Sequence, residues 1–189
     1  MLNKSLIVGA LLALLAVQDV AADDAVWAEL KQGNRVAFIR HAQTVSGIGD
    51  PEGFVIGDCA TQRNLSEGGR ADAKAIGEAF RRRGIPVAQV LSSRWCRCLD
   101  TARLAFSTVK PVVMLDSMFN DRVKPDEEKR LELHAYMDKW KAPGNLVLVT
   151  HAQNIQRMTG VSPGSGEIIV TRYEAGRFQV TGRIAPGGK

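Results

Sequence analysis

An α/β fold with a mostly parallel sheet is what this sequence predicts. Three observations carry that prediction. Short apolar runs alternate with amphipathic stretches from residue 23 onward, the pattern of strands joined by helices. The most apolar run, Asn145–Thr150, belongs at the sheet's centre. The last two runs, 167–173 and 178–184, face each other across Ala175-Gly176, a turn that closes a pair.

The elements follow in order. Residues 35–40 form the first strand. Residues 47–62 hold several glycines, a proline and a cysteine, and form a long loop. Ser66 is placed to cap the next helix, whose apolar face is Ala73, Ile76, Gly77 and Phe80 at i, i+3, i+4 and i+7. Gly84 ends it. Residues 85–92 give a second strand and residues 94–106 a helix with Trp95, Leu99, Ala102 and Phe106 on one stripe. Residues 112–115 are the expected third strand and 126–140 the next helix. His134 within it faces solvent, and residues 155–160 form a short helix stopped by Gly160. Trp27, Trp95 and Trp140 are expected to pack rather than to stack on sugars.

The 189 residues suffice for one domain with a sizeable core. Hydrophobic residues make up 45% and charged residues 24%, so disorder is not the default. The net charge of +5 suits an anionic partner. Arg81-Arg82-Arg83, the one tight basic cluster, falls at a helix C-terminus where cations oppose the macrodipole. No aromatic ladder accompanies it, so a nucleic-acid partner is not expected.

Residues 1–22 read as a secretory signal peptide: a basic start at Lys4, an apolar run over 6–17, and Val20-Ala21-Ala22 before the cut. The folded domain is then 23–189, periplasmic or secreted, with no stable membrane insertion after cleavage. In that compartment Cys59 is expected to pair with Cys96 or Cys98, the alternative being three small buried hydrophobes. No metal site is expected, because no Cys or His cluster has ligand spacing.

The residues with chemistry stand where strands end. The first strand runs into Arg40-His41-Ala42-Gln43-Thr44, the second into Ser92-Ser93 with Arg97 a turn further, and the central one into Thr150-His151 with Asn154 beyond. Carboxyl ends of parallel strands share one edge, so these segments meet in one crevice. Arginine is the best single residue for gripping phosphoryl oxygens, and helix N-termini opening there add free N–H groups.

Four segments in order resemble the histidine phosphatase superfamily, the phosphoglycerate-mutase-like proteins. Arg40-His41-Ala42-Gln43-Thr44 is similar to its Arg-His-Gly-x-Thr motif, and Leu65-Ser66-Glu67-Gly68-Gly69 to its Leu-Ser-x-x-Gly element. Residues 92–102 resemble Ser-Ser-x-x-x-Arg-x-x-x-Thr-Ala, and Val149-Thr150-His151 its later Thr-His strand end. The resemblance implies a three-layer sandwich with helices on both faces of a mostly parallel sheet. It implies His41 as a nucleophile forming a phosphohistidine, with Arg40, Arg97 and His151 clamping the phosphoryl group. Thr44 and Asn154 are expected to orient the phosphate. No cofactor or metal is called for, because arginines and a protonated histidine supply the charge.

Two positions depart from the family pattern. Ala42 replaces glycine, which is tolerable only where φ is not positive. The proton donor is not fixed: Ser117 stands where Glu is expected, leaving Asp121 as the preferred acid and Asp116 and Glu167 as alternatives. The expected activity is hydrolysis of phosphomonoesters on a small molecule or an envelope glycan, the exported branch of the family including a core-heptose phosphatase that this chain resembles. A phosphate-binding or sensor protein on the same fold, with little turnover, is the other class.

Overall fold

The computed structural model describes residues 23–119 and 124–186. The expected signal peptide and Asp121 lie outside them. The first described element is helix α1 over residues 23–31. There follow β1 (Val36–Arg40), α2 (Glu67–Arg82), β2 (Val87–Ser92), α3 (Cys96–Ala105), β3 (Lys110–Pro111), α4 (Asp126–Lys139), β4 (Asn145–Thr150), α5 (Ala152–Thr159), β5 (Ile168–Glu174) and β6 (Arg177–Ile184). Short 3-10 turns occupy Cys59–Thr61 and Val113–Leu115.

The strands form one sheet in the order β3-β2-β4-β1-β5-β6. β3, β2, β4 and β1 run parallel, and β5 and β6 add an antiparallel pair. β4 lies between two parallel neighbours and is buried along its whole length, which is why its sequence is apolar without alternation. Its side chains still divide by face. Val147 and Val149 join Ala37 and Ile39 of β1 in a core closed by Trp27 and Leu30 of α1, Phe80 of α2 and Ala102 of α3. Leu146 and Leu148 join Val36 and Phe38 in a second core under Leu133 of α4 and Ile155 of α5. Two cores, one on each face, make the three layers, and burying each large side chain contributes about 1.5–3 kcal/mol.

Local signals act as the sequence suggests. Ser66 Oγ accepts the Gly69 N–H and caps α2. Ala73, Ile76, Gly77 and Phe80 are all buried. The β5–β6 turn has positive φ at Ala175 (49°) and Gly176 (72°), the backbone of a type I′ hairpin.

Several expectations need correction. The run at 112–115 is not a strand. The edge strand is only Lys110–Pro111, after which Val112 donates to the Ser92 carbonyl and the chain curls into a 3-10 turn that buries Met114 and Leu115. An edge position next to β2 needs no long run, and the curl turns the Leu115 carbonyl toward Thr150 Oγ1 at 2.6 Å. In α3 Trp95 is the cap residue, and Cys98 takes the buried position expected of Leu99. α5 starts at Ala152, three residues early. His134 is half-buried rather than wholly solvent-facing: its ring packs against Tyr173 and Phe178, with Nδ1 3.0 Å from the Tyr173 hydroxyl.

Cys59 and Cys96 form a disulfide across 37 residues of chain, and Cys98 is free and buried. Among the described residues no helix is long and apolar enough to cross a membrane.

Candidate active site

The parallel register makes three strands end together. Arg40 lies opposite Thr150, and Ser92 opposite Val149. The next residues, His41, His151 and Ser93, therefore leave the sheet at one edge. The backbone fixes them there: His41 N–H donates to the Thr150 carbonyl at 2.9 Å and Ser93 N–H to the Val149 carbonyl at 3.0 Å. A cavity of about 270 Å³ opens over this edge, lined by Arg40, His41, Asp50, Arg63, Arg97 and His151 among others.

His41 is buried, its ring 5.5 Å from that of His151. Its Nδ1 lies 3.0 Å from the Ala42 carbonyl. A carbonyl only accepts, so Nδ1 carries the proton and the lone pair sits on Nε2. Burial first, then the charge of Arg97, hold the imidazole neutral by lowering its pKa to about 3. A neutral imidazole with a free Nε2 is a nucleophile. Ala42 is fully buried, donates its N–H to Thr101 Oγ1 at 3.0 Å, and has no positive φ. The absent glycine is therefore no obstacle to the turn.

His151 is held by a relay. Asp116 accepts from Ser93 Oγ at 3.3 Å, so the Ser93 hydroxyl proton is spent there and its oxygen accepts from His151 Nε2 at 3.0 Å. The Nδ1 edge is thereby left for a ligand. Burial foremost, and the neighbouring His41 and Arg97, push the His151 pKa well below the ordinary imidazole value. Asp116 also accepts from Arg94 N (2.8 Å) and Arg94 Nε (2.6 Å). It is thus a fully buried anchor and does not line the cavity.

The arginines carry the site's most unusual feature. Arg40 donates to the Pro163 carbonyl (2.9 Å), Arg63 to the Gly47 carbonyl (2.5 Å) and Arg97 to Asp50 Oδ1 (2.7 Å). The Nε of all three is buried without a hydrogen-bond partner. Buried donors are nearly always satisfied, and three idle ones around one cavity mark a place for an acceptor-rich anion. Burial lowers the Arg40 and Arg63 pKa values, with repulsion from Arg63 adding to the effect at Arg40 and from Arg97 at Arg63. The N-terminus of α5 opens on the same cavity through Ala152 and Gln153, and its field favours an anion.

Not every expected residue is here. Thr44 forms a backbone bridge with Leu65 and does not line the cavity. Asn154 is buried below it, accepting from Met118 N at 3.0 Å and donating to the Asp116 carbonyl at 2.8 Å; its amide ties down the segment that carries Ser117 and Phe119. Glu167 is paired with Arg183 Nε (2.6 Å) and accepts from Gly164 N (2.6 Å). Arg63 and Asp50, by contrast, do line the cavity. Both reach the site because the loop after β1 folds back, held by Trp95 Nε1 on Asp50 Oδ2 (3.0 Å) and by the Cys59–Cys96 link. Among the described residues no cluster of three His, Cys, Asp or Glu is placed to hold a metal.

The sheet edge thus presents a neutral histidine amid under-used arginines, an arrangement suited to an anion such as phosphate. The family model described as Histidine phosphatase superfamily (branch 1) matches residues 36–145, and the chain belongs to that superfamily. It is by family a phosphatase. Solved structures agree on the fold. The protein histidine phosphatase SixA complexed with tungstate is 13% identical with a TM-score of 0.60, over 80% of this chain and 97% of that one. A putative α-ribazole-5′-P phosphatase from Escherichia coli is 17% identical with a TM-score of 0.58, over 78% and 94%. The putative phosphohistidine phosphatase SixA from Agrobacterium tumefaciens is 22% identical with a TM-score of 0.53, over 82% and 99%. No curated protein sequence matches this chain.

Proposed function

We propose that this protein is an exported phosphatase that hydrolyses phosphomonoesters through a phosphohistidine on His41, without a metal. The observation that carries the reading is that Arg40, Arg63 and Arg97, each with an Nε lacking a partner, line one cavity with His41, whose Nε2 is unprotonated. A phosphoryl group brings the oxygens those donors lack. Among the described residues, three guanidinium groups and one carboxylate, that of Asp50, line the cavity, a balance that favours a dianion. A bound dianion also favours protonation of His151, whose Nδ1 then donates to it. His41 attacks phosphorus, the ester oxygen leaves, and water releases phosphate in a second step.

Export is supported by the leader pattern of residues 1–22 and by the Cys59–Cys96 disulfide, a bond that persists in oxidising compartments. A periplasmic or secreted site and a net charge of +5 fit a phosphorylated small molecule or envelope glycan as substrate. The test is steady-state hydrolysis of an aryl phosphate in chelator, beside His41→Ala. Chelator-resistant turnover that vanishes in the variant is expected. Loss of turnover in chelator would refute metal independence. No turnover by either protein, with inorganic phosphate bound equally, would make this a phosphate-binding protein instead.

A further inference from the structure

Breaking a phosphomonoester requires a proton for the departing oxygen, and the described acids near the cavity divide sharply. Asp116, bound by Ser93 and Arg94, and Glu167, bound by Arg183 and Gly164, both stand outside the cavity lining. Asp50 alone among the described acids lines the cavity with His41, Arg97 and His151. Its carboxylate is oriented by three donors from three directions: Arg97 Nη1 at 2.7 Å, Arg63 N at 3.0 Å and Trp95 Nε1 at 3.0 Å. Such fixing of a side chain at a cavity wall is what an acid–base group needs.

Resting on the phosphatase reading above, we propose that Asp50 is the acid–base residue of this site. In the first step the His41 Nε2 lone pair forms the N–P bond while the P–O ester bond breaks. The electron pair goes to the leaving oxygen, which takes the proton of the Asp50 carboxyl and departs as an alcohol. In the second step the Asp50 carboxylate takes a proton from water as its oxygen bonds to phosphorus. The P–N bond then breaks, its electron pair returns to His41, and inorganic phosphate leaves with Asp50 protonated again.

The occupied and empty sites differ in the charge that Asp50 faces. In the empty site burial would raise its pKa, but the hydrogen bond and charge of Arg97, with Arg63 N–H and Trp95, outweigh that and hold it low. A phosphoryl dianion competes for Arg97 and places negative charge beside the carboxylate. Both changes favour the protonated form that the first step uses.

The alternative is that Asp50 merely anchors Arg97, and leaving-group chemistry separates the two. A phenolate of low basicity departs without help, whereas an alkoxide must be protonated. Wild type, Asp50→Asn, Asp50→Glu and Asp121→Asn should be compared on nitrophenyl phosphate and on a simple alkyl phosphate. For Asp50→Asn, kcat/KM should fall about a hundredfold with the alkyl ester and less than about tenfold with the aryl ester. Asp50→Glu should have an intermediate alkyl-to-aryl ratio. Parallel loss on both esters, no loss on either, or selective loss in Asp121→Asn would overturn the proposal. Should Asp50→Asn fail to fold by circular dichroism, an Asp50→Glu ratio equal to wild type would overturn it, and a lowered ratio would support it. Wild type inactive on both esters would remove the phosphatase reading and this inference with it.

Discussion

Gly69, in the first turn of α2, lies directly against the carbonyl of Gln43, two residues past the candidate nucleophile; a methyl group on Gly69 would overlap that oxygen. The same carbonyl accepts from Ser66 N at 3.0 Å, and Ser66 Oγ caps the helix through Gly69 N. The capped helix start is thus pressed onto the turn that carries His41. Gly69→Ala should destabilise the protein by about 2–3 kcal/mol through backbone displacement and lower kcat/KM roughly tenfold by moving the turn. At Gly68 an added methyl meets nothing closer than 3.5 Å, and φ is not positive. Gly68→Ala should raise stability by about 0.5 kcal/mol. Paired urea melts check this, and equal effects at the two glycines would refute it.

The neutral state of His41 sets a pH signature. Its pKa, lowered to about 3, keeps the nucleophile unprotonated well below the ordinary imidazole range. The acid limb of kcat/KM, corrected for substrate ionisation, should therefore be absent between pH 5 and pH 7; a limb near 6.5 would contradict the buried geometry. The same depression acts on folding. The unfolded chain binds protons on these imidazoles below about pH 6.5 while the folded one does not. Stability is then fully present above that pH and declines as pH falls toward the folded values. For each of His41 and His151 the slope is about 1.4 kcal/mol per pH unit in that interval. Urea melts at pH 7 and pH 5 measure it, and His41→Ala should flatten the decline.

Asn154 separates scaffold from ligand. Its bonds go to the backbone of Leu115, Asp116 and Met118, so Asn154→Ala should cost about 2–3 kcal/mol of stability by stranding those buried groups. Inhibition by inorganic phosphate should weaken by less than about fivefold. Arg40→Ala, which removes a charged donor from the cavity, should weaken it about ten- to a hundredfold. A larger phosphate effect at Asn154 than at Arg40 would restore Asn154 as a direct ligand.

What the sequence made readable, and what it hid, follow one division. β1 and β4 are buried on both faces, and burial on both faces writes itself as an apolar run. Where such runs end in a parallel sheet, side chains converge, and so Arg40, His41 and His151 were findable one strand at a time. Ser66 and the Ala175-Gly176 turn carry backbone signals of three or four residues, equally local. Asp50 was hidden, and Arg63 could not be told from an ordinary loop residue, because their loop has no period. Its course depends on long-range partners, chiefly Trp95, Gln62 on Cys96 N, and the disulfide. The apolar run 112–115 misled for a related reason: four apolar residues describe a buried curl as well as a strand. Asn154 has the right polar chemistry, but the backbone of Leu115, Asp116 and Met118 uses it, while Thr44 is bridged to Leu65 away from the cavity lining.

The cysteines give the most direct test of how the cavity loop is held. The Cys59–Cys96 bond joins that loop to the first turn of α3, one residue before Arg97, and Gln62 Oε1 accepts from Cys96 N at 2.9 Å beside it. Closing a loop of this length removes about 3–4 kcal/mol of unfolded-state entropy on the chain-entropy estimate. Cys59→Ser with Cys96→Ser should therefore lose about that much stability. Freed from α3, Arg63 and Asp50 are less well placed on Arg97, and KM should rise several-fold. Cys98 behaves differently: burial above all raises its thiol pKa to about 12, and the thiolate is the reactive form. Thiol titration should find no fast-reacting group in the native protein, one after denaturation, and three after reduction, the chain's full count. A fast native thiol, or a double variant as stable as wild type, would show that the loop is held by its hydrogen bonds rather than by the cross-link.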